Sequence, residues 1–341
     1  MAPSFYITRY GDVCSRLSSL NRGVVSQIGT SAGGLSIPAV AYGDREPFER
    51  TTHRIAGHAG GGVGSYMPAD RKRPVLAILS AFHGAEMESI AGAMNLVSIL
   101  ETGEDLKGTA WPTIVEHAKA LRILIVPIAN PDGRTCIPSD DQQEWDAELT
   151  NHYRHGTWKD GSPITHGGVR DYQPLPLERV KLRGGYVNAN GIEPTSGWKF
   201  GRELNPEAWA VIDLAEQEYV DCVLDLHSCG AGPFLFTEMG PVPKVFHLRQ
   251  SYVDGVMRTK LRDRDLGAKS WTVSGKRDWG MYHLEFLYQL TGCLPLCYEG
   301  PTGVQRGNPH THQEIVDQYL TLFEAVIQTG ALEGLRPEGS T

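Results

Sequence analysis

Three short stretches place side chains able to ligate metal or move protons where apolar runs end. In "AFHGAEMESIAG" (81–92), His83 and Glu86 stand three positions apart, where an apolar run gives way to a helical pattern. In "VLDLHSCG" (223–230), His227 ends a second apolar run and small residues follow. Histidine and carboxylate are donors that Zn2+ takes in catalytic sites, where three protein ligands leave a fourth position for water. A histidine at a strand end and a glutamate in the next helix's first turn can converge on one ion. Alone, Glu86 also reads as a carboxylate favoured by a helix N-terminus. The second strand-end histidine completes a His/Glu/His set. A third run, "LPLCYEGPTG" (294–303), ends on Glu299. A buried carboxylate there is costly without a partner. Water activated by the ion would supply one, with Glu299 as general base.

Elements able to present these residues follow from the hydrophobic pattern. "VVSQIG", "LSIPAVAYG", "PVLAILSAF", "LRILIVPIA", "YVDCVLDLHS" and "CLPLCYEG" read as strands. From residue 74 onward they are nearly continuous in apolar residues, as expected of strands buried on both faces. Between them, Met87, Ile90, Ala91, Met94, Val97 and Leu100 mark one face of a helix. "PEAWAVIDLAEQEY" opens with a first-turn proline, and "HQEIVDQYLTLFEAVIQTG" predicts a closing helix that stops at glycine. The alternation predicts an α/β sandwich: a twisted, mostly parallel mixed sheet flanked by helices. Residues 135 to about 200 are polar, turn-rich and weakly periodic, which suits a long lid. No linker divides the chain, so residues 1–341 are expected to form one domain.

Composition narrows the function. The chain has 341 residues, 40% of them hydrophobic, enough for a large core. A formal net charge of −8 and no basic block beyond "DRKR" argue against nucleic-acid binding. No apolar run is long enough to span a membrane, and the first residues lack a signal-peptide layout. Six cysteines in so long a chain do not suggest a disulfide framework. A cytoplasmic enzyme is the expectation.

His83-x-x-Glu86, "NPDG" at 130–133, "DLHS" at 225–228 and Glu299, in this order and spacing, resemble the zinc carboxypeptidase (M14) family. The opening "YGDVCSRLSSL…VVSQIGTSAGGLSIPAVAYG" is similar to that family's first helix and hairpin. The resemblance implies a carboxypeptidase-like sandwich, one Zn2+ on His83, Glu86 and His227, and Glu299 as catalytic base. It implies hydrolysis of an amide in a peptide or small-molecule substrate, with an arginine steadying the oxyanion. Arg134 and Arg154 are the candidates for that arginine, and Tyr282 for the family's mobile tyrosine. The family's D-x-N-R stretch, which grips a terminal carboxylate, has its counterpart in "YVNANGIEP": Asn188 and Asn190 fit, but Gly191 replaces the arginine. Arg170, Arg183 and Arg202 are the arginines left to reach in. The departure makes an N-acyl amino acid deacylase or small-molecule amidohydrolase the alternative to peptide trimming. A binding module that keeps the fold without catalysis is a further one.

Other motifs are weaker. "GTSAGG" contains G-x-S-x-G, but a strand follows where a nucleophile elbow needs a helix. "GGGVGS" lacks the Lys-Ser/Thr of a phosphate loop. His283-Leu-Glu285 lacks the P-C-x-x-C of zinc deaminases. "HTH" at 310–312 reads as a helix start.

Overall fold

The computed structural model describes residues 2–61, 63–67, 71–195, 205–267, 282–302 and 310–337. Nine strands are present among them: β1 (Val24–Thr30), β2 (Ser36–Tyr42), β3 (Val75–Ser80), β4 (Arg122–Val126), β5 (Thr157–Trp158), β6 (Val180–Leu182), β7 (Cys222–Cys229), β8 (Phe234–Leu235) and β9 (Leu294–Pro301). Seven form one mixed sheet in the order β1-β2-β4-β3-β7-β9-β8. Its four central strands, β4, β3, β7 and β9, are parallel, and the edge pairings are antiparallel. This is the expected sandwich, with "mostly parallel" holding for the centre of the sheet.

Alternate residues of each central strand serve different cores, which is why their sequences lack polar alternation. Leu76, Ile78, Ile123, Ile125, Leu224 and Leu296 face one layer, packed with the helices Met87–Thr102, Lys244–Asp263 and His312–Glu333. Ala77, Leu79, Leu124, Val223 and Cys297 face the other, against the helices Pro206–Glu218 and Tyr282–Thr291. No helix among the described residues is long and apolar enough to cross a membrane. All six cysteines are free.

Two helices depart from the sequence expectation. Met87–Thr102 is buried on every side from Met87 to Leu100, because His312–Glu333 packs against it on the outer side. The final helix runs through Gly330 and ends at Gly334, whose φ of 76° is the left-handed conformation glycine tolerates. Thr311 of "HTH" is its N-cap, paired reciprocally with Glu314.

Residues 135–195 are folded rather than loop-like. The antiparallel pair β5–β6 packs Trp158 and Val180 on a small core of Ile164, Val169, Leu175, Tyr186 and Val187, while Tyr153 of the helix Ala147–Arg154 packs with Ala85, Met87, Ile137 and Trp145. This insert carries side chains to the carboxyl ends of the central strands.

Candidate active site

The loop after β3 is held from below by "NPDG". The backbone N–H groups of Ala129 and Asn130 donate to the carbonyls of Ser80 and Ala81, at 2.8 and 3.1 Å. The Asn130 side chain donates to the Phe82 carbonyl at 3.1 Å and accepts from the Gly133 N–H at 2.9 Å. Packing is tightest at Gly84, where an added Cβ would lie 2.1 Å from the Arg134 backbone nitrogen. Gly84→Ala is therefore expected to lower stability by about 1–3 kcal/mol or more and to weaken metal retention. Denaturant titration and metal analysis of the purified variant measure both, and a wild-type midpoint would show that the loop can yield. Beyond the loop, Glu86 sits at the N-cap of Met87–Thr102 and its N–H donates to the His83 carbonyl at 2.8 Å.

Three side chains meet here. His83 Nδ1 lies 3.0 Å from Glu86 Oε1 and 3.2 Å from His227 Nδ1, which lies 2.9 Å from Glu86 Oε2. All are buried. The outer nitrogens are occupied, His83 Nε2 by Glu193 Oε1 at 3.0 Å and His227 Nε2 by Asp225 Oδ2 at 2.7 Å. Ionised carboxylates only accept, so both Nε2 atoms carry the proton and a neutral ring turns its Nδ1 lone pair inward. Two lone pairs and a carboxylate then converge, an arrangement that favours a cation between them. The spacing suits zinc, since bonds of about 2.0–2.1 Å set tetrahedral donors roughly 3.3 Å apart. The same preference acts on protons. Burial opposes charge on His227, yet Asp225 and Glu86 hold its pKa well above the ordinary value. Burial likewise pushes Glu86 up, but His83 and His227 outweigh it and keep the carboxyl well below its usual range.

Sheet register brings in Glu299, which pairs with His227 between β7 and β9. Its Oε2 is shut off from solvent without a hydrogen-bond partner among the described residues. Burial, then the charge of Glu86, pushes the carboxyl up to about 7.

Arg154, at the end of Ala147–Arg154, is also buried and reaches the residue after His227. Its Nε and Nη2 donate to Gln142 Oε1 at 3.1 and 3.0 Å, and its Nη1 to the Ser228 carbonyl at 3.4 Å. Gln142 is anchored in turn on the Ala85 carbonyl at 2.6 Å. A neutral amide thus orients the guanidinium without neutralising it. Burial would lower the Arg154 pKa, but Tyr186 and the carboxylates Glu86, Glu88 and Glu299 raise it.

The remaining expected residues fall elsewhere. Arg134 donates from Nε to the Thr8 carbonyl (2.9 Å), from Nη1 to that of Ile137 (3.0 Å) and from Nη2 to that of Ser139 (2.9 Å), so it ties down surrounding backbone. Asn188 is likewise occupied: its Nδ2 donates to Glu207 at 2.8 Å and its Oδ1 accepts from the Asn190 and Ile192 N–H groups at 3.0 Å. The Asn190 side chain is exposed. Arg202 lies outside the described residues, and so does the side chain of Tyr282, although the helix begins at that position. Arg183 donates to the Asp132 carbonyl at 3.0 Å. Ser31 of "GTSAGG" lies in the β1–β2 turn and donates to Asp132 at 2.6 Å, which leaves it no elbow geometry.

Sequence reasoning missed Tyr186, Glu193, Asp225 and Gln142. The Tyr186 ring stacks on His83 with centroids 4.0 Å apart, and its hydroxyl donates to Glu86 Oε1 at 2.7 Å. Glu193 is held by the Thr195 N–H at 2.9 Å and by the Thr195 hydroxyl. Only Asp225, two residues before a strand-end histidine, left a signal: it shares a strand face with that histidine.

A buried His/Glu/His cluster at the carboxyl ends of a mixed sheet, with Glu299 next to His227 in the register, is a candidate metal site of the kind metallohydrolases use. The chain belongs to the zinc carboxypeptidase family, whose sequence pattern matches residues 18–234. His83, Glu86 and His227 lie inside that match, and Glu299 lies beyond it. No curated protein sequence matches the chain. Among solved structures, a carboxypeptidase A from Helicoverpa armigera aligns over 96% of this chain and 74% of its own, with 15% identity and a TM-score of 0.57. A metallo-carboxypeptidase from Burkholderia cenocepacia aligns over 94% and 69%, with 15% identity and a TM-score of 0.56. One from Pseudomonas aeruginosa, in complex with (2-guanidinoethylmercapto)succinic acid, aligns over 97% and 71%, with 16% identity and a TM-score of 0.56. At these identities the likeness is one of fold. The family is one of zinc-dependent hydrolases acting on peptides.

Proposed function

We propose that residues 1–341 form a single catalytic unit that holds one zinc ion on His83, Glu86 and His227 and hydrolyses an amide bond. The observation that carries this reading is the inward convergence of two imidazole Nδ1 atoms and one carboxylate, each imidazole backed by its own carboxylate. Bound zinc would supply a water pKa of about 7 and a Lewis acid for the carbonyl. The protein does the rest. Glu299 takes a proton from the attacking water and returns it to the leaving nitrogen, a transfer suited to a carboxyl with a raised pKa. Arg154, kept charged, offers its remaining N–H groups to the developing oxyanion. Tyr186 and Glu193 fix the His83 ring, and Arg134 and Asn188 are framework groups.

The substrate reading turns on Gly191. Its φ is 75°, which favours glycine, and an added Cβ would meet Leu175 backbone and side-chain atoms at 3.1 Å. Leu175 N–H also donates to the Gly191 carbonyl at 2.8 Å. The insert therefore occupies the ground from which a clamp arginine would grow. No arginine stands at position 191 to grip a terminal carboxylate, which supports an N-acyl amino acid or another small-molecule amide as substrate beside a peptide C-terminus. The test is a panel of N-acyl amino acids, their C-terminal amides and short peptides, assayed on the zinc-loaded protein. Amides are expected to be cleaved at rates comparable to free acids. A strong preference for free acids would restore the exopeptidase reading, and no cleavage anywhere, with zinc bound, would favour a binding module. A cytoplasmic placement is part of this proposal, and six cysteines with no disulfide between them are compatible with it.

A further inference from the structure

We propose that His283 is a positioning residue for the metal cage, acting through Asp225; this rests on the zinc reading above. The Nε2 atoms of His283 and His227 both lie 2.7 Å from the same oxygen, Asp225 Oδ2. All three groups are buried. A carboxylate accepting from both rings keeps the His227 proton on Nε2 and its Nδ1 lone pair free for the ion. With His227 as its sole donor, Asp225 could turn about its side-chain torsions and let the His227 ring turn with it. The second donor comes from the helix Tyr282–Thr291, on the layer that covers the sheet behind β7. The same ring packs on Phe82, at 5.1 Å between centroids, beside His83. His283 thus braces His227 through a shared carboxylate and packs on the residue that precedes His83. Glu285, its partner in the H-x-E pattern, lies instead against Gly240, 3.3 Å from where a Cβ would stand.

Asp225, His227 and His283 are also close enough to hold a cation themselves. Here a single oxygen, Asp225 Oδ2, lies 2.7 Å from both ring nitrogens, the geometry of one acceptor shared by two N–H donors.

The experiment is a zinc titration of metal-stripped wild-type, His283→Leu and His283→Gln protein against a chromophoric chelator of known affinity, with thermal melts of each apo-protein. Leucine removes the donor, whereas the glutamine amide nitrogen reaches the position of Nε2. His283→Leu is expected to weaken zinc binding about 10- to 100-fold, with His283→Gln recovering most of that affinity. Should the leucine variant not fold, His283→Asn replaces it, because its amide stops one bond short. Wild-type affinity in the donor-less variant overturns the proposal, and so does a glutamine variant as weak as the leucine one. A wild-type protein that takes two equivalents, one of them lost in His283→Leu, overturns it in favour of a second metal site. A wild-type protein that takes none overturns the zinc reading itself.

Discussion

Glu299→Gln is expected to bind zinc as the wild type does and to lose turnover by about 10²–10⁴-fold, the range for removing a positioned general base. The substitution keeps size and shape but leaves no lone pair basic enough to take a proton. Because Glu299 is not among the converging donors, zinc content stays near one equivalent while kcat falls. The pH dependence provides an independent readout. Burial and Glu86 push the Glu299 carboxyl up to about 7, and a divalent cation next to it stabilises the ionised form and draws that value down. The base works only when ionised, so kcat/KM of the wild type should fall on the acid side, below pH 7. In the variant that limb should vanish. A glutamine variant with full activity, or with an unchanged acid limb, would transfer the base role to another group. Glu88 is the neighbour to examine then. Burial pushes it up to about 7 as well, but its carboxylate already accepts from Ser228 at 2.7 Å.

The parts of this site legible in the sequence are those whose position is dictated by a strand ending. His83, His227 and Glu299 each close an apolar run, and parallel strands place such ends at one edge of the sheet, so side chains far apart in the chain become neighbours. The register that sets His227 beside Glu299 is a consequence of that alignment. The sheet order was out of reach, because continuous apolar strands carry no record of which neighbour they pair with. Tyr186, Glu193, Gln142 and the small core around Val169 were also illegible. They lie in a segment whose contacts are turns, glycine-to-backbone approaches and side chain-to-backbone hydrogen bonds, none of which has a period. Gly185 and Tyr186 N–H groups donate to the carbonyls of Tyr153 and Arg154, at 2.8 and 3.0 Å, and so place Arg154 and the tyrosine together. That link joins residues more than a hydrophobic window apart. Arg134 shows the converse risk. Its place after "NPDG" suggested a catalytic arginine, whereas the sequence contains nothing to reveal the carbonyl groups that surround it.

His227→Ala should abolish zinc binding at micromolar metal and, with it, activity, a loss larger than the roughly 10- to 100-fold that changes behind a ligand cost. Three effects coincide at this residue. The cage loses one of its two imidazole donors, and the remaining pair, His83 and Glu86, cannot close a four-coordinate site with water alone at comparable affinity. Glu86 loses the contact at 2.9 Å that helps keep it ionised. Asp225 keeps only His283, and a buried carboxylate with fewer donors is less favourably ionised. Zinc should therefore stop stabilising the fold. Ligand linkage predicts about 2.7 kcal/mol of added stability for the wild type when free zinc is 100 times its dissociation constant, read as a rise in melting temperature on adding metal. The variant should melt at one temperature with and without zinc. Alanine leaves the β7 backbone and its pairing with β9 in place, so a folded but zinc-indifferent protein is the expected product. If the alanine protein still melts higher with added zinc and carries an equivalent of metal through chelation, His227 does not belong to the cage, and the geometry of Nδ1 facing Nδ1 would need another cause.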